Sequence, residues 1–292
     1  MTTALQILVD GFAISAIYAL AAVGFTLMFG VSGVLNLSHG GIMVIAAIIG
    51  WWAAGQLGLG TYGGTIVGIL AGLAAAYLTY FVVVRPIQAS RKIPREETEI
   101  FLLTGTLLWG IMIQVGMAAL FSDNPVTIRP LIDGVVNVFG VRTPKNEIMI
   151  AAVCWIVIGL LWLLINRTRV GKSMLAASIN PRGLTLLGFE LSRIYFLVWS
   201  IYGTLAGIAG VLLASFLGVS TANAGQLTAS AFSIVVLGGL GSVSGSLLAA
   251  FVVGYLETIT AYLINPTLRP VPALLLLVLV VYLRPQGLLG RR

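Results

Sequence analysis

The chain has 292 residues, of which 59% are hydrophobic and 9% charged, with a mean hydropathy of +1.06. A water-soluble domain of this length would not carry such a composition on its surface. The formal net charge of +7 is set by basic residues in loops and at the ends of apolar runs, where they fix orientation and meet anionic lipid, so a nucleic-acid partner is rejected.

The N-terminus, MTTALQILVDG, has no basic leader region and no small-residue cleavage pattern, and reads as the start of a retained span. From Gly11 to Val84, and again from Ile194 to Leu256, there is no Asp, Glu, Lys or Arg. A charge at the centre of a spanning helix costs about 2.5 to 3.5 kcal/mol, and one crossing takes roughly 20 apolar residues. The runs are unbroken rather than alternating, so the spans are helices and not barrel strands. Spans are predicted over residues 8–30, 40–57, 62–84, 100–121, 147–166 and 194–217. Beyond them, 222–240 is short and Gly-rich, 243–263 is a good span, and 272–283 is marginally short for crossing.

Orientation follows from the basic loops. Arg85, Arg91, Lys92 and Arg95 follow the third span, and Arg167, Arg169, Lys172, Arg182 and Arg193 lie two spans later, so both loops face the cytoplasm. Ser122 to Asn146 then lies outside, as does the N-terminus. The tail, with Arg284, Arg291 and Arg292, belongs inside, which requires an even number of crossings after Arg193. Nine crossings result if 222–240 crosses in a broken form, and eight plus a re-entrant segment if it does not. The predicted fold is therefore an all-α integral membrane protein. It is a polytopic helical bundle of about eight or nine transmembrane segments, with a broken Gly-rich segment near 222–245 and a short cytoplasmic helical module at 169–189. The whole of 1–292 forms one transmembrane domain, with 167–193 as its cytoplasmic loop.

Polar interruptions mark where backbone groups are freed inside the apolar runs. Asn36-Leu37-Ser38-His39-Gly40-Gly41 follows the first run, and the helix-breaking Gly238, Gly239, Gly241 and Gly245 punctuate the last third. Freed groups must find partners within the protein or along a water-filled path, and Gly-interrupted segments in two halves are a feature of transporter sites. Asn36, Ser38 and His39 are candidates for lining such a path. The competing and favoured reading is structural, since no carboxylate lies near His39 in sequence to tune it. Glu257 is the one acid placed well inside an apolar segment, and an intramembrane ionisable group is a functional candidate by default. Gln114 is a weaker candidate on its own span.

Other motifs exclude chemistry. NRTRVGKS (Asn166–Ser173) has the Gly-Lys-Ser of a phosphate-binding loop but Asn166 in place of its first glycine and a membrane helix where a strand is needed. Gly239-Leu240-Gly241 lacks the third glycine of a dinucleotide fingerprint. With one histidine and one cysteine, Cys154, there is no disulfide, no Ser/His/Asp set and no metal-ligand cluster. The chain is expected to move something and not to transform it, without being an enzyme or binding a cofactor.

The basic loop holds two short helix-like segments. Gly171 to Ile179 is apolar or small, with Met174, Leu175, Ser178 and Ile179 expected on one face. Asn180 stands at the N-cap and Pro181 at the first position of a second helix running to Leu187, which Gly188 terminates. Such helices are too apolar to sit alone in water, so they dock a partner surface or lie on lipid.

Four ordered blocks, YALAAVGFTLMFGVSGVLNLSHGG (Tyr18–Gly41), RVGKSMLAASINPRGLTLLGF (Arg169–Phe189), VLGGLGSVSGSLLAAFVVGYLE (Val236–Glu257) and LRPQGLLG (Leu283–Gly290), resemble the permease subunits of branched-chain amino-acid ABC importers. The resemblance implies a multi-pass permease of the bacterial inner membrane that pairs with a related or identical second permease. It also implies two cytoplasmic ATP-binding subunits, which use the ATP, and an external solute-binding protein. By the same resemblance Arg169, Gly171, Lys172, Ala176, Ala177, Asn180, Pro181 and Gly188 belong to the loop that docks the ATPase, and Gly24 to Gly41 to the translocation domain. The sequence departs from the family at Leu175-Ala176, commonly Arg-Ala, and at Ser244, often Pro, which widens the cargo to branched-chain amino acids or similar small polar solutes. An ATP-independent secondary transporter or channel is the alternative.

Overall fold

The computed structural model describes residues 2–90, 92–94, 96–138, 140–284 and 286–289. Arg91, Arg95, Arg291 and Arg292, which weigh in the charge count for orientation, and Pro285 and Gly290 of the last block lie outside the described residues.

The chain is helical almost throughout, because lipid leaves every backbone N–H and C=O to be satisfied within its own segment. Helix α1 runs over Thr2–Ser32 without a proline or a charge beyond Asp10, about 46 Å at 1.5 Å per residue. Helices α2 (His39–Gly55) and α3 (Gly60–Thr79) follow, and α3 continues through one π-turn at Tyr80–Val84 into α4 (Arg85–Ala89). Next come α5 (Thr98–Phe121) and α6 (Lys145–Arg167), then the short α7 (Arg169–Ile179) and α8 (Pro181–Leu186). Helices α9 (Leu191–Phe216), α10 (Asn223–Gly238), α11 (Val243–Leu263) and α12 (Val271–Leu283) complete the bundle, with a 3-10 turn at Pro266–Leu268.

Among the described residues, seven helical stretches are long and apolar enough to cross a membrane. Helices α2 and α10, with 17 and 16 residues, fall short of that length, at about 25 and 24 Å against a hydrocarbon core of about 30 Å. A count of eight or nine crossings rests on those two elements. Helix α10 nonetheless joins the two ends of the bundle. Just before it, Val219 pairs with Val126; just after it, Gly241 packs beside Gly30 at the foot of α1.

Helix α1 is the axis, packed by α6, α9, α10 and α11. Ile14, Ile17, Leu20, Phe25 and Met28 of α1 and Trp199 and Tyr202 of α9 are fully buried. Gly24 faces Leu205 and Gly254 faces Ser15, and small residues at these crossings let backbones approach where no hydrophobic driving force separates helix from lipid. Helices α5 and α12 are peripheral and present long apolar side chains outward.

Within this all-α fold, the long loop before α6 carries one short hairpin. Val135–Val138 and Val141–Pro144 pair as a two-stranded antiparallel hairpin in the register Val135↔Pro144 to Val138↔Val141. Three valines in VVNV favour extended backbone, a signal overshadowed in the sequence by the Asn-Pro and Thr-Pro turn pairs. Asn146 closes the loop, taking the Leu131 N–H on Oδ1 at 3.1 Å and donating from Nδ2 to Ser215 O at 3.2 Å.

Candidate functional site

The second helix of the module has the caps its sequence announces, and the first has one at Thr168 that it did not. Asn180 Oδ1 accepts from the Gly183 N–H at 2.8 Å, and Thr168 Oγ1 accepts from the Gly171 N–H at 3.0 Å, so each short helix begins on a side-chain cap. Gly188, at φ +83°, ends α8: its N–H reaches Thr185 O at 3.0 Å while the Phe189 N–H reaches Leu184 O at 3.3 Å, the paired bonds of a Schellman stop.

The buried face of α7 differs from the expected one. Gly171, Met174 and Ala177 pack on the bundle, whereas Leu175, Ser178 and Ile179 are exposed. A Cβ on Gly171 would overlap the backbone of Leu164 and Ile165, so α7 lies as close to the end of α6 as two helices can. Close approach requires small side chains at Gly171 and Ala177, with Met174 buried between them, and Leu175 and Ile179 are left exposed. Ile179 is 76% exposed, Leu186 88% and Leu187 76%, an apolar edge shared by both helices. Arg169 and Lys172 are exposed on α7, Ala176 is half-buried, and Pro181 holds the turn after Asn180.

In the break between α1 and α2, Asn36, Ser38 and His39 are brought together and fully buried. Asn36 Oδ1 accepts from Ser38 N–H at 3.1 Å and Ser38 Oγ at 2.7 Å, which fixes its amide so that Nδ2 donates to Tyr202 Oη at 3.0 Å. The same phenol oxygen is hydrogen-bonded to His39 Nδ1, 2.9 Å away. The imidazole stacks on Phe25 with centroids 5.2 Å apart and planes 8° off parallel. Thr106 of α5 accepts the Leu37 N–H at 3.1 Å, and Thr228 of α10 accepts the Gly40 N–H at 2.9 Å. The break between α1 and α2 is thus knotted to α5, α9 and α10. His39 meets Tyr202 midway along the 26-residue α9, so α2 begins deep inside the bundle.

Tyr202 is the hub of this knot, and sequence reasoning passed over it. A tyrosine in the middle of an apolar span needs a partner for its hydroxyl, and that requirement is the signal that could have found it.

Glu257 forms a separate cluster. It is fully buried on α11 and accepts from Tyr18 Oη of α1 at 2.7 Å and from Ser230 Oγ of α10 at 3.2 Å. Gln114 belongs to neither cluster. It is half-buried on α5, beside a notch of about 40 Å³ where Gly41 of α2 and Gly225 of α10 meet Gly110.

The four helix-breaking glycines form the α10–α11 hairpin. Gly239 and Gly241 take φ of +100° and +83° and turn the chain, and a Cβ on Gly238 or Gly245 would collide with the other's backbone. Ser242 Oγ caps α11 by accepting from Gly245 N–H at 3.2 Å. The chain's end returns to this hairpin, which the sequence did not announce. Leu288 N–H donates to Leu237 O at 2.7 Å and Leu289 N–H to Gly238 O at 3.1 Å, covering carbonyls that the end of α10 leaves free.

Residues 7–283 match the family described as the permease component of branched-chain amino acid transport systems. The chain is 31% identical to the high-affinity branched-chain amino acid transport system permease protein BraD of Pseudomonas aeruginosa, over 98% of the chain and 96% of that relative. It is 27% identical over the same shares to the corresponding permease protein LivH of Escherichia coli. It is also 25% identical to the autoinducer 2 import system permease protein LsrD of Klebsiella pneumoniae, over 78% of the chain and 68% of that relative.

Proposed function

The chain belongs to the family of permease components of branched-chain amino acid transport systems, and from that membership we propose that it is the pathway-forming subunit of an ATP-driven importer for branched-chain amino acids or similar small polar solutes. It is a multi-pass protein of the inner membrane, and its role is that of a transport pore within an ABC assembly. A relative named for autoinducer 2 import supports stating the cargo as a class of small polar solutes.

The observation that carries the proposal is the α7–α8 module. It is rigidly capped at Thr168, Asn180 and Gly188, anchored by Gly171, Met174 and Ala177, and it offers Ile179, Leu186 and Leu187 to something outside the chain. Apolar edges of this kind imply a partner surface, and we assign it to a cytoplasmic ATP-binding subunit. Two such subunits, a second permease, related or identical, and an external solute-binding protein complete the proposed assembly. In this reading the chain binds no cofactor of its own, and ATP is used by the partner subunits.

Transport then proceeds by alternating access. ATP binding closes the ATPase pair, the module carries that movement into the bundle, and the helices rock about the α1–α2 break. Gln114, beside the notch where α2, α5 and α10 meet, is in this reading the candidate to face the cargo. Asn36, Ser38 and His39 hold the break in shape, and Glu257 ties α10 to α1 and α11.

The test is uptake of radiolabelled leucine by vesicles holding the assembled transporter and its binding protein. Uptake that needs internal ATP and survives collapse of ion gradients supports the proposal. Uptake that follows an ion gradient and ignores ATP would replace it with the secondary-transporter reading.

A further inference from the structure

Between α7 and the α10–α11 hairpin lies a cavity of about 840 Å³. Helix α7 lines it at Leu175 and Ser178, the hairpin at Gly241, Ser242 and Ser244 with Leu289 beside it, and α6 closes the side between them. The module therefore touches α1, α6 and α9 directly, while this gap stands between it and the hairpin.

The hairpin is built to move as one piece. Gly238 and Gly245 are in backbone contact, so α10 and α11 share their crossing without a side chain to slide on. The residues 286–289 lock it from below: two backbone bonds, from Leu288 and Leu289, end on the last turn of α10. Gly287, at φ +76°, presses on Gly239 so closely that a Cβ would overlap it. Further along, α10 holds Thr228 against the Gly40 N–H at the α1–α2 break and Ser230 against Glu257. A push on the hairpin is thus delivered to the polar knot in mid-bundle by a 16-residue helix.

We propose that the 286–289 strap and the hairpin it caps form the receiving half of a joint, with α7 as the driving half and the cavity as its gap, so that the module's movement reaches α10 by closing that gap. The joint rests on the reading that α7 and α8 dock an ATPase. Leu288 acts in it as a positioning residue, through its N–H and not its side chain.

The test uses the complete transporter in membranes and reads three quantities for each variant: recovery of the ATPase with the permease, ATP hydrolysis, and uptake of radiolabelled leucine. Ser244→Trp fills the gap from the hairpin side, and Leu247→Trp does so from a second position on the same wall. Leu288→Pro deletes one donor of the strap, while Leu288→Ala keeps it. The joint predicts that both tryptophan variants retain the ATPase and its hydrolysis but lose uptake at least tenfold. It predicts that Leu288→Pro uncouples likewise, with Leu288→Ala within twofold of the parent. Undiminished uptake in a tryptophan variant that assembles, or equal behaviour of the two Leu288 variants, would overturn it. A parent chain that recovers no ATPase would instead overturn the docking reading beneath it, so the two failures are told apart.

Discussion

Glu257 of α11 accepts a 2.7 Å hydrogen bond from Tyr18 of α1, 239 residues away in the chain and also buried. With Ser230 as its second donor, the carboxyl joins three helices at one point. Removing one partner of a buried polar pair costs about 1–3 kcal/mol. Tyr18→Phe and Glu257→Leu should each lower the unfolding temperature in detergent. The double variant should lose less than the sum, because both single changes break the same bond. Additive losses would show that the pair does not couple α1 to α11.

The knot at the α1–α2 break makes Tyr202 more sensitive than its neighbours. Tyr202→Phe leaves the Asn36 amide and His39 Nδ1 without their shared partner, at a cost of about 1–3 kcal/mol. Expected results are a lower unfolding temperature and reduced uptake. Ser38→Ala, which removes one of the two bonds to Asn36 Oδ1 and leaves the Ser38 N–H in place, should have a smaller effect measured the same way.

The two faces of α7 and α8 should respond differently to substitution. Gly171→Val drives a side chain into the backbone of α6 and should detach the module, abolishing uptake while the protein still reaches the membrane; a bulky residue at Ala177 should do the same. Leu186→Asp and Leu187→Asp alter exposed side chains and should leave the unfolding temperature unchanged while the ATPase is lost. Equal destabilisation by both classes would mean that the outer edge is packed and not presented.

The caps give graded changes. Asn180→Ala removes the acceptor of the Gly183 N–H, and Gly188→Ala forces a side chain into positive φ; each should cost about 1 kcal/mol. Because α8 is only six residues long, the loss should appear as faster hydrogen exchange confined to 180–189. Exchange spread through the bundle would contradict a local cap.

Much of this was legible in the residues, because charge-free runs and glycine punctuation are strong signals in lipid. The span read over 243–263 coincides with α11, and Asn180-Pro181 and Gly188 bound α8 as their chemistry requires. What sequence could not convey is which face a helix buries when contact is set by closeness. Counting apolar residues placed Met174, Leu175, Ser178 and Ile179 together, whereas the bundle took Gly171, Met174 and Ala177. Leu175 and Ile179 were left outside that contact. Tyr202 and the 286–289 strap escaped for a related reason: their partners lie 163 residues away in one case and are backbone carbonyls in the other.

The most direct measurement is co-purification of the chain from membranes in mild detergent, comparing the parent with Ile179→Asp/Leu186→Asp on the exposed edge. Docking of an ATP-binding subunit on α7 and α8 predicts that the parent brings an ATPase with it and that the double variant, equally stable and equally abundant, does not. A parent that purifies without any ATPase, or a variant that retains it in full, would contradict the account.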